Sequence, residues 1–162
     1  MNRTVSLRPE QPGDEPFLLQ LYASTRASEM RMVPWDNSQK EAFLRSQFGL
    51  QKHHYRKYYP EAVFLIVQLD GQPIGRLYVD RSGPCFLVID IALLPGYRAA
   101  GIGGRLMQDI LSEAAAEGKK VQIHVERTNP ALRLYERLEF RILEDQGIHF
   151  LMEWSPDSVG QM

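Results

Sequence analysis

Cysteine is almost absent: Cys85, in the apolar stretch Pro84-Cys85-Phe86-Leu87-Val88, is the single one in 162 residues. That excludes an internal disulfide framework and any multi-cysteine zinc or iron–sulfur site, and it predicts a reducing compartment. Long apolar runs are missing as well. None approaches the roughly 18 residues of a membrane span, and Met1 to Pro9 has no apolar core of the kind a signal peptide needs. The expectation is a cytoplasmic protein without a membrane partner. Neither charge sign is in excess, with 19 Lys and Arg against 20 Asp and Glu and a net charge of -1. A general basic field is thereby ruled out, and nucleic acid is not an expected partner. Internal repeats and interdomain linkers are lacking too. The chain reads as one domain over residues 1–154 with a frayed tail at 155–162. It is long enough to bury about two-thirds of its unfolded surface without a covalent staple.

What is present is an alternation of extended and helical periodicity. Thr4 to Arg8 alternates as a short strand closed by Pro9. Asp14-Glu15-Pro16 reads as a helix start with Asp14 as the capping carboxylate, and Phe17, Leu18, Leu21 and Tyr22 form the apolar stripe. Arg31 to Asn37, holding Pro34 and Trp35, reads as a loop. Ser38-Gln39-Lys40-Glu41 reads as a capping box opening a second helix through Phe43, Leu44 and Phe48. Ala62 to Leu69 and Pro73 to Asp80 are strands joined by a hairpin turn at Asp70-Gly71. Phe86 to Leu94 is apolar nearly throughout, as a strand buried on both faces would be. A helix carrying Leu106, Met107, Ile110, Leu111, Ala114 and Ala115 stops at Gly118. Val121 to Val125 is a strand, Pro130 to Leu138 a short helix, and the segments around Phe140 to Leu143 and Ile148 to Trp154 are extended. The order β-α-α-β-β-β-α-β-α-β-β is an α/β arrangement, largely antiparallel in its front half, with one βαβ unit in the middle.

The most informative stretch joins a buried strand to an amphipathic helix: Leu93-Leu94-Pro95-Gly96-Tyr97-Arg98-Ala99-Ala100-Gly101-Ile102-Gly103-Gly104-Arg105. Glycines at 101, 103 and 104 let the backbone approach a ligand closely. The free N–H groups of the helix start and the positive end of its dipole suit a phosphate or pyrophosphate, and Arg98 adds a planar multidentate donor. Two familiar phosphate loops fail here. A dinucleotide fingerprint wants glycine where Leu106 stands, and a P-loop wants Gly-Lys-Ser/Thr where Gly104-Arg105-Leu106 stands. A tight structural turn that binds nothing is the bland alternative.

Arg98-x-x-Gly101-x-Gly103, following Ile91-Ala92-Leu93-x-Pro95-x-Tyr97, resembles the acetyl-CoA-binding motif of the GNAT superfamily of N-acetyltransferases. Asn129-Pro130-Ala131-Leu132-Arg133-Leu134-Tyr135-Glu136-Arg137-Leu138-Glu139-Phe140 is similar to that family's second motif. The element order matches as well, so the resemblance spans nearly the whole chain. It implies a GNAT-like mixed, mostly antiparallel central sheet with a splayed strand pair, flanked by about four helices. It further implies acetyl-CoA as acetyl donor, its pantetheine arm paired with the backbone of Ile91, Ala92 and Leu93. The pyrophosphate would lie on the N–H groups of Arg98, Ala99, Ala100, Gly101, Ile102, Gly103 and Gly104. A further phosphate of the nucleotide would need another cation, with Arg105, Lys119 and Lys120 in the neighbourhood. Two departures from the pattern stand out. Asn129 lies six residues before Tyr135 rather than the usual seven, so it either contacts the cofactor arm or caps the helix that Pro130 opens. Glu139 replaces the usual glycine before Phe140, where a positive φ would strain it.

Acyl transfer to an amine needs a neutral amine, oxyanion stabilisation and a proton for the departing thiolate. The second motif places Tyr135 where the family's general acid sits, although Tyr135 also shares a helix stripe with Leu132 and Leu138 and would pack there. Asp90 stands in an otherwise apolar run and is the first candidate for the base, acting directly or through water; a structural hydrogen bond is its alternative. His124 and Glu126 share one face of the later strand and are further candidates. The acceptor that the resemblance implies is an amine on a small molecule or a peptide. By the resemblance its selection falls to Arg26 to Trp35, to about Gln51 to Tyr59, and to Asp145 to His149. Lys52-His53-His54-Tyr55-Arg56-Lys57-Tyr58-Tyr59 combines charge with rings and reads either as a solvated helix face or as a surface for an anion. Adjacent histidines diverge by about 100° on a helix, so no metal site is expected. Cys85 precedes the strand core without an assigned histidine partner, which disfavours a covalent acetyl-enzyme. The resulting expectation is an N-acetyltransferase working by direct transfer in a ternary complex, as a monomer or homodimer. The alternative is a noncatalytic acyl-CoA-binding or interaction module on the same fold.

Overall fold

The structure, a computed structural model, describes residues 3–98 and 100–156. Its described elements run β1 (Val5–Pro9), α1 (Glu15–Thr25), α2 (Ala27–Met32), α3 (Asn37–Tyr58), β2 (Val63–Leu69), β3 (Gln72–Asp80), β4 (Phe86–Leu93), α4 (Ile102–Ala116), β5 (Val121–Glu126), α5 (Leu132–Arg137), β6 (Arg141–Asp145) and β7 (His149–Trp154). Two short 3-10 turns, Pro12–Asp14 and Pro95–Tyr97, complete the list. The seven strands follow the order β1-β2-β3-β4-β5-β7-β6. The fold class is the mixed, mostly antiparallel sheet with helices that the element order implies. The chain separates into two compact units, Met1–Leu77 with Ala92–Arg98 and Tyr78–Ile91 with Ala99–Met162, and β3 and β4 each run through both.

In the first unit β1 lies antiparallel on β2, from Val5 opposite Leu69 to Pro9 opposite Leu65. Asp70 and Gly71 both take positive φ, 51° and 83°, as a two-residue hairpin turn that follows the twist of its strands demands. Leu18 and Tyr22 of α1, Phe48 of α3 and Ile66 of β2 form a buried cluster, with the Tyr22 and Phe48 rings 5.8 Å apart. Gly75 on β3 has a steric reason that the sequence pattern hides. A Cβ there would run into the carbonyl of Ala92 and come within 2.7 Å of Leu93 Cδ2.

Three local readings are corrected here. The helix start is capped differently from expectation, because the Asp14 carboxylate turns back to take two bonds from Arg8, at 2.7 and 2.8 Å, and the Gln11 N–H at 2.8 Å. The capping box of α3 lies two residues earlier than Ser38. Asp36 accepts from the Gln39 N–H at 2.8 Å and its own N–H donates to the Gln39 side chain at 3.0 Å. Arg31 and Met32, expected in a loop, close the short α2, which raises the number of described helices to five.

The second unit is built on α4 and β5. Ile102, Leu106, Met107, Ile110, Leu111 and Ala114 of α4 are buried at helical spacing, and Val121, Ile123 and Val125 of β5 at strand spacing. β5 is paired antiparallel with β7 along all six of its residues, from Val121 opposite Trp154 to Glu126 opposite His149. β6 lines the far side of β7, with an irregularity between Ile142 and Glu144.

Candidate active site

β4 and β5 run parallel, yet their pairing covers only Phe86 with Val121, Leu87 with Gln122 and Val88 with Ile123. β4 then continues to Leu93 and β5 to Glu126. Aligned residues of parallel strands share a face. Asp90, two residues past Val88, therefore faces the side of Ile123 and Val125, and His124 and Glu126 face the other.

The loop from β4 delivers a helix N-terminus into the same unit. Gly101 is its N-cap, in the left-handed conformation at φ 81°, and the Arg105 N–H makes a 3.1 Å bond back to the Gly101 carbonyl. The N–H groups of Ile102, Gly103 and Gly104 precede the first bonded turn and point along the helix axis. A Cβ at Gly101 or Gly103 would meet nothing within 4 Å, while one at Gly104 would touch Leu134 of α5 at 3.5 Å. Aligned N–H groups, open space beside them and a positive dipole end fit the pyrophosphate of coenzyme A. Ala100 is exposed at this turn. Ala99, expected in the same cradle, lies outside the described residues.

In the first unit the Arg98 guanidinium is tied down locally. Its Nε donates to the Leu93 carbonyl at 2.9 Å and one Nη reaches Ser24 Oγ of α1 at 3.4 Å. The Leu94 N–H donates to the Ile74 carbonyl on β3, so the polar groups of Leu93 face away from β3, and Arg98 holds the carbonyl at that outer edge. Ile91 and Ala92 are half-buried on the same strand. The basic and aromatic stretch at the end of α3 is a solvated face with engaged cations. Lys52 pairs with Glu15 at 3.1 Å, and Arg56 pairs with Glu10 at 2.6 Å while lying 4.0 Å from the Phe64 ring centre.

Tyr135 of α5 is buried, with its ring edge-on to Phe140 at 5.8 Å. Burial first, and then the charge of Asp90, push its phenol up to about 12. Glu139, between the end of α5 and Phe140, has φ 74°. The turn keeps its left-handed residue although glycine is absent, and the Phe140 N–H still closes on the Tyr135 carbonyl at 3.0 Å. The Asn129 side-chain oxygen accepts the Ala131 N–H at 2.8 Å in the turn that leads into α5.

His124 and Glu126 are exposed on the opposite face. His124 Nδ1 lies 3.2 Å from Gln146 Oε1, and its ring stands edge-on to His149 at 5.5 Å. Gln146 lies in the Asp145 to His149 segment expected to select the acceptor. Of the cations weighed for a further phosphate, Lys119 and Lys120 follow the far end of α4. Its 15 residues put that end roughly 22 Å from the glycines. Lys120 also pairs with Glu153 at 3.5 Å. Arg105 stays, exposed in the first turn of α4.

Known proteins share the family and the fold. A family model described as acetyltransferase (GNAT) family matches residues 25–140. The PaiA N-acetyltransferase of Thermoplasma acidophilum, solved in complex with coenzyme A, is 18% identical with a TM-score of 0.71, covering 94% of this chain and 99% of its own. Naa50 of Arabidopsis thaliana, solved with the bisubstrate analogue CoA-Ac-MVNAL, is 16% identical with a TM-score of 0.60, covering 93% and 98%. A Corynebacterium glutamicum structure described as histone acetyltransferase HPA2 and related acetyltransferase is 21% identical with a TM-score of 0.64, covering 94% and 96%. No curated protein matches the sequence.

Proposed function

The chain belongs to the acetyltransferase (GNAT) family, and from that membership we propose that it moves an acetyl group from acetyl-CoA to a primary amine by direct transfer within a ternary complex. Residues 1–154 serve as one acetyltransferase domain in a reducing, cytoplasmic setting. The observation that carries this reading is the parting of β4 and β5 after Val88 and Ile123 in the unit that also holds the Gly101–Gly104 helix start and Tyr135.

When bound, acetyl-CoA supplies an activated acyl group on a sulfur leaving group. The N–H groups of Ile102, Gly103 and Gly104 hold the pyrophosphate, Arg105 supplies a nearby cation, and Ile91 offers its backbone to the arm. Arg98 contributes by fixing the loop entry through Leu93 and Ser24. Tyr135 donates a hydrogen bond and then its proton to the departing sulfur. Asp90 sets the charge against which the phenol works. Cys85 sits one residue before β4 and five residues, at most about 16 Å of strand, from Asp90. It lies toward the closed end of the strand pair, which supports direct transfer over a covalent acetyl-enzyme.

A thiol-release assay with acetyl-CoA and a panel of small amines and peptides tests the reading. Release that requires an added amine supports transfer. Coenzyme A binding without release for any amine class would favour the noncatalytic binding module.

A further inference from the structure

Two of the four histidines meet on the surface of the second unit. The pairing of β5 with β7 sets His124 opposite Leu151 and His149 opposite Glu126, so the two imidazoles are diagonal neighbours on one face of the sheet. Their ring centres lie 5.5 Å apart with the planes at 81°. His124 is exposed and His149 half-buried, which leaves both open to solvent and its solutes.

The separation has a chemical meaning. An ion held about 2.1 Å from one nitrogen of each ring sits about 3.2 Å from each ring centre, and at a tetrahedral angle those centres stand roughly 5.2 Å apart. Ring contact alone also spans this distance, and a supporting amide is what distinguishes the pair. Gln146 Oε1 lies 3.2 Å from His124 Nδ1. The Gln146 N–H donates to the His149 carbonyl at 3.0 Å, tying the support to the backbone of the second histidine. A hydrogen on Nδ1 facing that oxygen leaves the lone pair on Nε2, the arrangement in which an imidazole ligates a metal. Arg127 braces the same turn, donating to the Gly147 carbonyl at 2.9 Å and pairing with Asp145. Glu126, across from His149 in register, adds negative charge to the face.

We propose that His124 and His149 form a surface site for a divalent transition-metal ion such as Zn(II) or Ni(II), held by one nitrogen of each ring. Among the described residues no three His, Cys, Asp or Glu side chains are grouped as a closed metal site requires. Water therefore completes the coordination, and the ion exchanges with solvent. Imidazole ligands select these ions over Mg(II) and Ca(II), which take oxygen. Only coordination bonds to the neutral rings form, and only water leaves the ion. A bound ion links β5 to β7 and stabilises the folded chain by mass action. The site is independent of acetyl transfer and stands whether or not that reading does.

The experiment is calorimetric titration of tag-free, metal-free protein with Zn(II) and Ni(II), in a Cys85→Ser background that removes the single thiol, with thermal melting in parallel. One ion should bind per chain and raise the Tm, EDTA should reverse both, and Mg(II) should not compete. Binding should fade below about pH 6, where protons compete for imidazole. His124→Ala and His149→Ala should each lose the one-to-one binding, Gln146→Leu should weaken it about tenfold, and the His53→Ala/His54→Ala double variant should keep it. In the protein with all four histidines, substoichiometric Ni(II) should broaden the ring-proton resonances of His124 and His149 and spare those of His53 and His54, a readout that needs no variant to fold. No saturable binding, binding that survives either single substitution, or broadening centred on His53 and His54 overturns the site.

Discussion

Asp90 and Tyr135 are electrostatically joined: burial on α5 first, and then the carboxylate on β4, push the phenol up to about 12. The phenol is therefore protonated at neutral pH, as the proposed donor role requires. A pKa that high also makes it a reluctant donor. Tyr135 is then most effective when a hydrogen bond to sulfur forms as negative charge develops there.

Replacing Tyr135 by Phe keeps the ring and its contact with Phe140. Turnover should fall about 10²-fold, while the KM for acetyl-CoA stays within about twofold because the pyrophosphate contacts are untouched. Steady-state kinetics decide this, and an unchanged kcat would remove Tyr135 from the chemistry.

Asp90→Asn removes a charge and keeps the shape. The Tyr135 phenol should titrate lower than in the parent, yet still above about 10, because burial is the larger cause and is unaltered. Ultraviolet difference titration of the phenolate, with the Tyr135→Phe protein as blank, reads the change. No downward shift would mean that the two groups do not interact.

Glu139 holds a left-handed conformation that glycine adopts without strain. Glu139→Gly should stabilise the fold by about 1 kcal/mol, whereas Glu139→Ala, with the same Cβ, should gain nothing. Urea unfolding should show a raised midpoint at constant m for the glycine variant alone.

The Asp14 carboxyl is held below the usual carboxylate range by its bonds from Arg8, by the Gln11 N–H and by the Arg8 charge, against the opposing effect of burial. A lowered pKa stabilises the fold above the unfolded value of about 3.9, and that stability is lost as pH falls through the lower folded value. Asp14→Asn should cost about 1–3 kcal/mol at neutral pH. The difference from the parent should shrink below about pH 4. Denaturant titrations from pH 7 to pH 2 check this, and a pH-independent difference would show that the pairing carries no titrating stability.

The parts of this molecule legible in the sequence are those with a local cause. The Asp70-Gly71 turn, the stripe on α4 and the glycine-rich helix start each follow from neighbouring residues alone. Asp14 was misread as a helix cap because its partner, Arg8, comes from β1, and no local pattern announces that contact. The α3 capping box was displaced by two residues because Asp36-x-x-Gln39 and Ser38-x-x-Glu41 overlap and both satisfy the same pattern. The roles of Gly75 and Gln146 have the same non-local origin as the Arg8 contact. One is dictated by the Ala92 carbonyl on another strand, the other by an imidazole 22 residues away.

The placement of β7 between β5 and β6 also bears on how the chain is made. β5 emerges from synthesis before β7, and its long antiparallel edge, from Val121 to Glu126, stays without that partner until His149–Trp154 has followed. Nascent chains, and fragments cut within the β6–β7 turn, would present that edge to any passing strand. Shortened forms of this protein should therefore be recovered as aggregates rather than as sluggish enzymes.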